Sequence, residues 1–249
     1  MILATFKDFL NSGAYKYITT GIFIVLLVLL IIRLNKQEKV SYSRNFLIKR
    51  ITVVSIFSAI AILLYIFGID INIVIPFMPS FLEVHFSIIP ILLITALYGP
   101  AYGAVATIIK TIGKLIIVGS GSFAVGELAD VIIGVSVIVV FSFFYYKKQS
   151  PKNLLIALVA STVTWIAVGV FINWTIIVPF FIYAWNFEAV FGAMQLVPGI
   201  TIDNYMGVYL AIACLPFNAI TATLNSLLGF FVIQSLSKII PQLGSKENN

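Results

Sequence analysis

Long stretches without a single charged residue set the terms for this chain. Tyr17–Ile32, Val131–Tyr146 and Leu154–Tyr183 are the clearest. The hydrocarbon core of a bilayer is about 30 Å thick, and a helix rises about 1.5 Å per residue, so roughly 20 apolar residues cross it. Of the 249 residues, 61% are hydrophobic and 10% are charged, against about 45–50% and 25% in a soluble domain. A soluble fold of this size keeps too much surface in water to hide that apolar excess. Soluble enzymes, nucleic-acid-binding domains and disordered chains are therefore excluded. The runs are continuous rather than alternating, which favours helices over a barrel. The expected fold is an all-α integral membrane protein in the cell membrane.

Tyr17–Ile32 reads as a retained transmembrane helix, since no Ala-x-Ala cleavage pattern follows it. Six core helices are expected at Ile51–Gly68, Phe86–Tyr98, Tyr102–Val118, Ala124–Tyr146, Leu154–Tyr183 and Tyr205–Ser237. Gly99-Pro-Ala-Tyr-Gly103 is a turn between the second and third of these. Three regions follow: 1–50, the extra helix and a basic linker; 51–240, the six-helix domain; and 241–249, a polar tail. Lys and Arg cluster in 33–50, at 147–152 and after 238. Basic residues mark cytoplasmic loops, so these three places face inward. The loop from Ala184 to Asn204, with Glu188, Asp203 and no basic residue, faces outward. The net charge of +6 thus reports orientation, and nucleic acid is not an expected partner.

No Gly-x-x-x-x-Gly-Lys-Ser/Thr phosphate loop and no Gly-x-Ser-x-Gly elbow occurs, so neither ATP hydrolysis nor hydrolase chemistry is expected. One cysteine, Cys214, and one histidine, His85, rule out cysteine clusters and multi-histidine metal sites. What remains is a small set of polar residues inside apolar helices. Asn173 lies in the fifth core helix. Asn218, Thr221 and Asn225 share one face of the sixth. Two readings stand: hydrogen bonds between helices, or a pocket for a neutral, planar, hydrogen-bonding ligand, since an amide offers donors and an acceptor. Glu127 and Asp130 begin the fourth core helix, where a helix N-terminus stabilises carboxylates or a ligand meets them. Lys110 and Lys114 either snorkel to the interface or pair with those carboxylates. Trp185, at a helix end, reads as an interfacial belt residue. Ser55 and Ala59, four apart on the first core helix, form a small-residue face for close helix approach.

Ile75-Pro-Phe-Met-Pro-Ser-Phe-Leu-Glu-Val-His-Phe-Ser-Ile-Ile-Pro90 resembles the first outer loop of riboflavin-specific S components of energy-coupling factor (ECF) transporters. Tyr98-Gly-Pro-Ala-Tyr-Gly103, Ile109-Lys110, Val125-Gly-Glu-Leu-Ala129, Asn173-Trp174 and Leu215-Pro-Phe-Asn218 continue the match in order. The resemblance covers about 51–240 and leaves out the N-terminal helix. It implies a six-helix subunit that binds riboflavin as transported ligand, with no enzymatic cofactor. Its partners would be a membrane T component and two ATPase subunits. The expected ligand contacts are Asn173, Asn218, Thr221, Phe81, Leu82 and Glu127, with the loop as a lid. Ser55 and Ala59 would meet the T component. Glu83, His85 and Ile88 depart from the family's usual Lys, Asp and Asp, and Thr221 stands where lysine is usual. Flavin mononucleotide or another vitamin is the alternative cargo, and a self-contained secondary transporter the more distant one.

The basic-residue pattern predicts that a cysteine placed at Gln37 is labelled by membrane-impermeant reagents only from the cytoplasmic side. Labelling from outside alone would invert the topology.

Overall fold

The structure, a computed structural model, describes residues 13–35, 44–79, 81–146 and 148–239. The expectations for Lys36, Gln37, Lys39, Lys147, Lys246 and the tail 241–249 lie outside them. The described helices are α1 (Ala14–Asn35), α2 (Arg44–Ile66), α3 (Ile88–Tyr98), α4 (Pro100–Ile117) and α5 (Val125–Tyr145), then α6 (Pro151–Trp185), α7 (Phe187–Met194) and α8 (Tyr205–Ser237). Six are long and apolar enough to cross a membrane, and α3 is a shorter apolar helix. This is the expected core of six, α2 to α6 with α8, plus α1. Large apolar side chains such as Val25, Leu63 and Val163 stay exposed, as they must where lipid rather than protein covers a helix.

Between α2 and α3 the chain forms a short antiparallel pair, β1 (Ile69–Asp70) and β2 (Glu83–Val84), with Ile69 opposite Val84. The pair closes the loop from 67 to 87 on itself. A second departure from expectation is α7, inside the loop from Ala184 to Asn204. Asn186 starts it: its backbone takes φ 79°, and its Oδ1 accepts from the Ala189 amide at 3.0 Å. Asparagine caps helices well.

Helix α3 is central, packed by α2, α4, α5 and α8 and buried along nearly its whole length. Its 11 residues cover only about 16 Å, so it cannot span the bilayer alone. Gly99 turns the chain at φ 93°, with Pro100 opening α4. A Cβ at Gly99 would sit 3.0 Å from Tyr146 Cζ. Gln149 Nε2 donates to the Ala96 carbonyl at 2.7 Å and covers the end of α3. Gly103 lets α3 and α4 close on each other, because a Cβ there would meet Thr95 Oγ1 at 2.1 Å.

Both long helices, α6 and α8, contain one widened turn. In α6 it is Asn173–Ile177, and in α8 Tyr209–Cys214. Pro179 and Pro216 follow directly. Proline has no amide hydrogen and clashes with the carbonyl four residues back. A widened turn before it absorbs the misfit, and such turns gather at functional sites.

Gly103→Ala should lower stability in detergent by about 1–3 kcal/mol, the usual cost of overpacking, because Thr95 is buried and bonded to the Ile91 carbonyl. Gly192→Ala in α7 meets nothing within 4 Å and should not. Thermal unfolding of both variants checks this.

Candidate ligand-binding cavity

The loop from 67 to 87, the Gly-Ser turn before α5 and the halves of α6 and α8 nearest them enclose a cavity of ≈ 330 Å³. That lies at the small end of the roughly 300–1,000 Å³ range of small-molecule sites. Asn173, Asn218, Thr221, Phe81, Leu82 and Glu127 all lie on its wall. The cavity opens at the end opposite residues 44–50 and 148–152, the side that the charge pattern assigns to the exterior.

Aromatic rings supply most of the apolar wall. Phe81, from the loop, meets Phe181 edge-on at 5.9 Å and Tyr209 at 6.1 Å. Trp185 stacks flat on Phe181, 4.5 Å between centroids at 15°, and both border the cavity. Trp185 is therefore a cavity wall as well as a helix-end residue. Trp165 and Phe217 complete the wall.

The two asparagines stand at the widened turns. Asn173 Nδ2 donates to the Gly169 carbonyl at 2.9 Å, and Asn173 Oδ1 accepts from the Tyr209 hydroxyl at 2.8 Å. That bond ties one widened turn to the other. Asn218 Nδ2 donates to the Cys214 carbonyl at 2.8 Å. Its side chain lies on Gly169, where a Cβ would come within 2.2 Å of Asn218 Oδ1. Each asparagine thus spends one amide hydrogen on its own helix. Asn218 Oδ1 has no hydrogen-bond partner among the described residues. Thr221 Oγ1 is buried and likewise unpartnered. A ligand with donors at this end would find acceptors in place. Asn225, deeper on the same face, does not line the cavity. Its Nδ2 holds the His85 carbonyl at 3.0 Å.

The charged residues meet at another part of the wall. Lys110 pairs with Asp130, and Lys114 with Glu127. The lysines therefore do not snorkel: α4 and α5 lock through two ion pairs, each with one buried and one partly buried partner. Lys110 Nζ also donates to Ser87 Oγ at 3.2 Å. His85 Nε2 sits 3.4 Å from Asp130 Oδ1, and its Nδ1 is 3.0 Å from Ser87 Oγ. Glu127 Oε2 accepts from Ser120 and Ser122 at 2.8 and 3.0 Å. The Tyr65 ring lies under both ammonium groups, 4.4 and 5.5 Å from its centroid. Among the described residues no three His, Cys, Asp or Glu side chains form a metal site.

Sequence reasoning missed Tyr65, Phe181, Phe217 and the widened turns. Pro179 and Pro216 inside apolar runs were the available signal for the turns. The aromatic walls carry no local signal, since an aromatic facing a cavity looks like one facing a neighbour.

Comparison with known proteins places this architecture. The model of the family "ECF transporter, substrate-specific component" matches residues 49–233. The riboflavin transporter RibU of Staphylococcus aureus (strain TCH60) is 26% identical over 210 residues, covering 84% of this chain and 100% of the relative. The riboflavin transporter FmnP of Bacillus subtilis (strain 168) is 29% identical over 174 residues, covering 70% and 84%. A solved S component of a bacterial ECF transporter superposes with a TM-score of 0.58 at 24% identity, over 77% of this chain and 96% of that one. The chain belongs to the ECF transporter substrate-specific components: it is a multi-pass protein of the cell membrane, not an enzyme, and one component of an ECF transporter.

Proposed function

We propose that this S component binds riboflavin from outside and delivers it through a T component driven by two ATPase subunits. Residues 51–240 carry the binding and docking functions. The observation that carries the reading is two asparagine amides on the wall of one aromatic-walled cavity, Asn173 in the widened turn of α6 and Asn218 four residues past that of α8. A flat ring fits between the aromatic side chains, and its polar edge finds the amides. The names of the relatives supply the vitamin. Phe81 and Leu82 close over the ligand from the loop, and Glu127 with its serines faces the ribityl hydroxyls. Both lysines at that end already face a carboxylate, which favours an uncharged ribityl chain over the phosphate of flavin mononucleotide.

The purified protein should be yellow or should take up riboflavin in calorimetric titration. Asn218→Ala leaves a buried ligand group unpaired at a cost of about 1–3 kcal/mol, so binding should weaken by roughly 5- to 150-fold. Thr221→Lys, which restores the family's usual residue, should bind at least as well as the parent. Parent protein that takes up another vitamin and no flavin would end the riboflavin reading.

Docking is expected at Ser55 and Ala59. Both are exposed on the outer face of α2, where small side chains admit another helix. Ala59→Trp should abolish uptake in cells that contain the partner subunits while leaving ligand binding unchanged. Equal loss of both would place this face elsewhere in the mechanism.

A further inference from the structure

The cavity is lined from α2, α4, α5, α6, α8 and the loops that join them, and α1 gives it no wall; α1 also lies before the residues that the family model matches. Most of α1 faces lipid, with Val25 57% and Leu29 55% exposed. One strip turns inward, and part of it meets the widened turn of α6. Thr20 is 3% exposed, and its hydroxyl has two acceptors in reach, the Lys16 carbonyl of its own helix at 2.9 Å and Thr175 Oγ1 at 3.2 Å. The Thr175 hydroxyl in turn donates to the Phe171 carbonyl at 2.8 Å. Phe23 meets Phe171 edge-on at 6.0 Å. Lys16 Nζ stands 5.1 Å over the Trp174 ring. On the opposite side of the same turn, Asn173 and Ile177 face the cavity.

We propose that α1 is a positioning element for ligand binding: through Thr20 and Phe23 it holds the turn Asn173–Ile177 in the one conformation that aims Asn173 into the cavity. The inference rests on the reading of Asn173 as a ligand contact. A widened turn interrupts the regular ladder of backbone hydrogen bonds, so alternative local conformations lie close in energy. Thr175 ties the turn to its own helix, and the buried Thr20 hydroxyl, its one hydrogen shared between the Lys16 carbonyl and Thr175 Oγ1, packs against it from outside. The partners sit in a dry contact where water cannot replace a lost hydroxyl. None of the α1 residues touches the cavity, so the effect travels through Thr175 and Phe171 to Asn173.

The test uses the full chain and two readouts. Riboflavin affinity is measured by calorimetry for Thr20→Val, Thr175→Val, the double variant, Thr20→Ser and the lipid-facing control Val25→Ala. Hydrogen exchange across 171–177 is measured on the same proteins without ligand. Each valine variant should weaken binding roughly three- to tenfold, the span of one lost hydrogen bond. The double variant should lose no more than the worse single one, because the two hydroxyls act as one unit. Thr20→Ser should restore binding, and Val25→Ala should match the parent. Exchange across 171–177 should quicken in Thr20→Val and not in the control. Phe23→Leu, which keeps an apolar contact but removes the ring edge, should move both readouts the same way and serves if Thr20→Val does not fold. Parent-like affinity and exchange in the Thr20→Val and Phe23→Leu variants would overturn the proposal, as would additive losses in the double variant. A parent that binds no riboflavin would strike the riboflavin reading, and the exchange readout would still decide whether α1 holds the turn.

Discussion

The whole binding end depends on how this fold keeps non-helical backbone inside a membrane protein. The loop before α3 brings the stretch 83–87 into the bundle, with His85 and Ser87 buried. Within the hydrocarbon region an unsatisfied amide or carbonyl costs several kcal/mol, so irregular backbone survives there only when protein groups satisfy it. Asn225 takes the His85 carbonyl. Asp130 and Lys110 engage the His85 and Ser87 side chains. Two carboxylates and two lysines, costly one by one in such a setting, are neutral as pairs. Together they fix the start of α3 against α5 and α8 beside the cavity.

A parallel constraint shapes the other wall. Pro179 and Pro216 force a widened turn on α6 and on α8 at matching depth, and the Tyr209–Asn173 bond joins the two. The asparagines serve the backbone and the cavity at once. Each gives one amide hydrogen to a carbonyl of its own helix, and Asn218 Oδ1, packed over Gly169, keeps no hydrogen-bond partner among the described residues. This dual use explains why amides stand here rather than hydroxyls. A threonine has one hydrogen to give, and after bonding its own helix it has no donor left.

Much of this was legible beforehand, for a physical reason. Apolar runs have to be long to cross lipid, so the helices announced themselves, and Gly99-Pro100 marked the hairpin between α3 and α4. The six expected contact residues came with the family resemblance, and they border one cavity. Choices that depend on the third dimension were not legible. Whether Lys110 and Lys114 snorkel or pair depends on the rotation of α4 against α5. Trp185 became a wall because Phe181, one turn earlier, faces the same way. Helix α7 falls inside the expected outer loop, although Asn186 followed by Phe-Glu-Ala resembles a helix start. In each case the local residues allowed two outcomes, and packing chose between them.

The two ends of the loop from 67 to 87 are held by different kinds of force. The root, at 83–87, is tied by an ion-pair network and the Asn225 amide, all buried and short-ranged. Breaking it leaves charges unpaired in a dry interior, a cost of several kcal/mol. The tip is held by ring edges, Phe81 on Phe181 and Tyr209, and by a small apolar cluster of Ile71, Met78 and Leu82 with Phe217 beside it. An aromatic edge contact contributes only about 0.5–1.5 kcal/mol beyond its buried area, and it re-forms without any proton or charge changing place. The tip is therefore the part that separates from the bundle at the lower cost, while Asp130 stays tied to the root through His85 and Lys110.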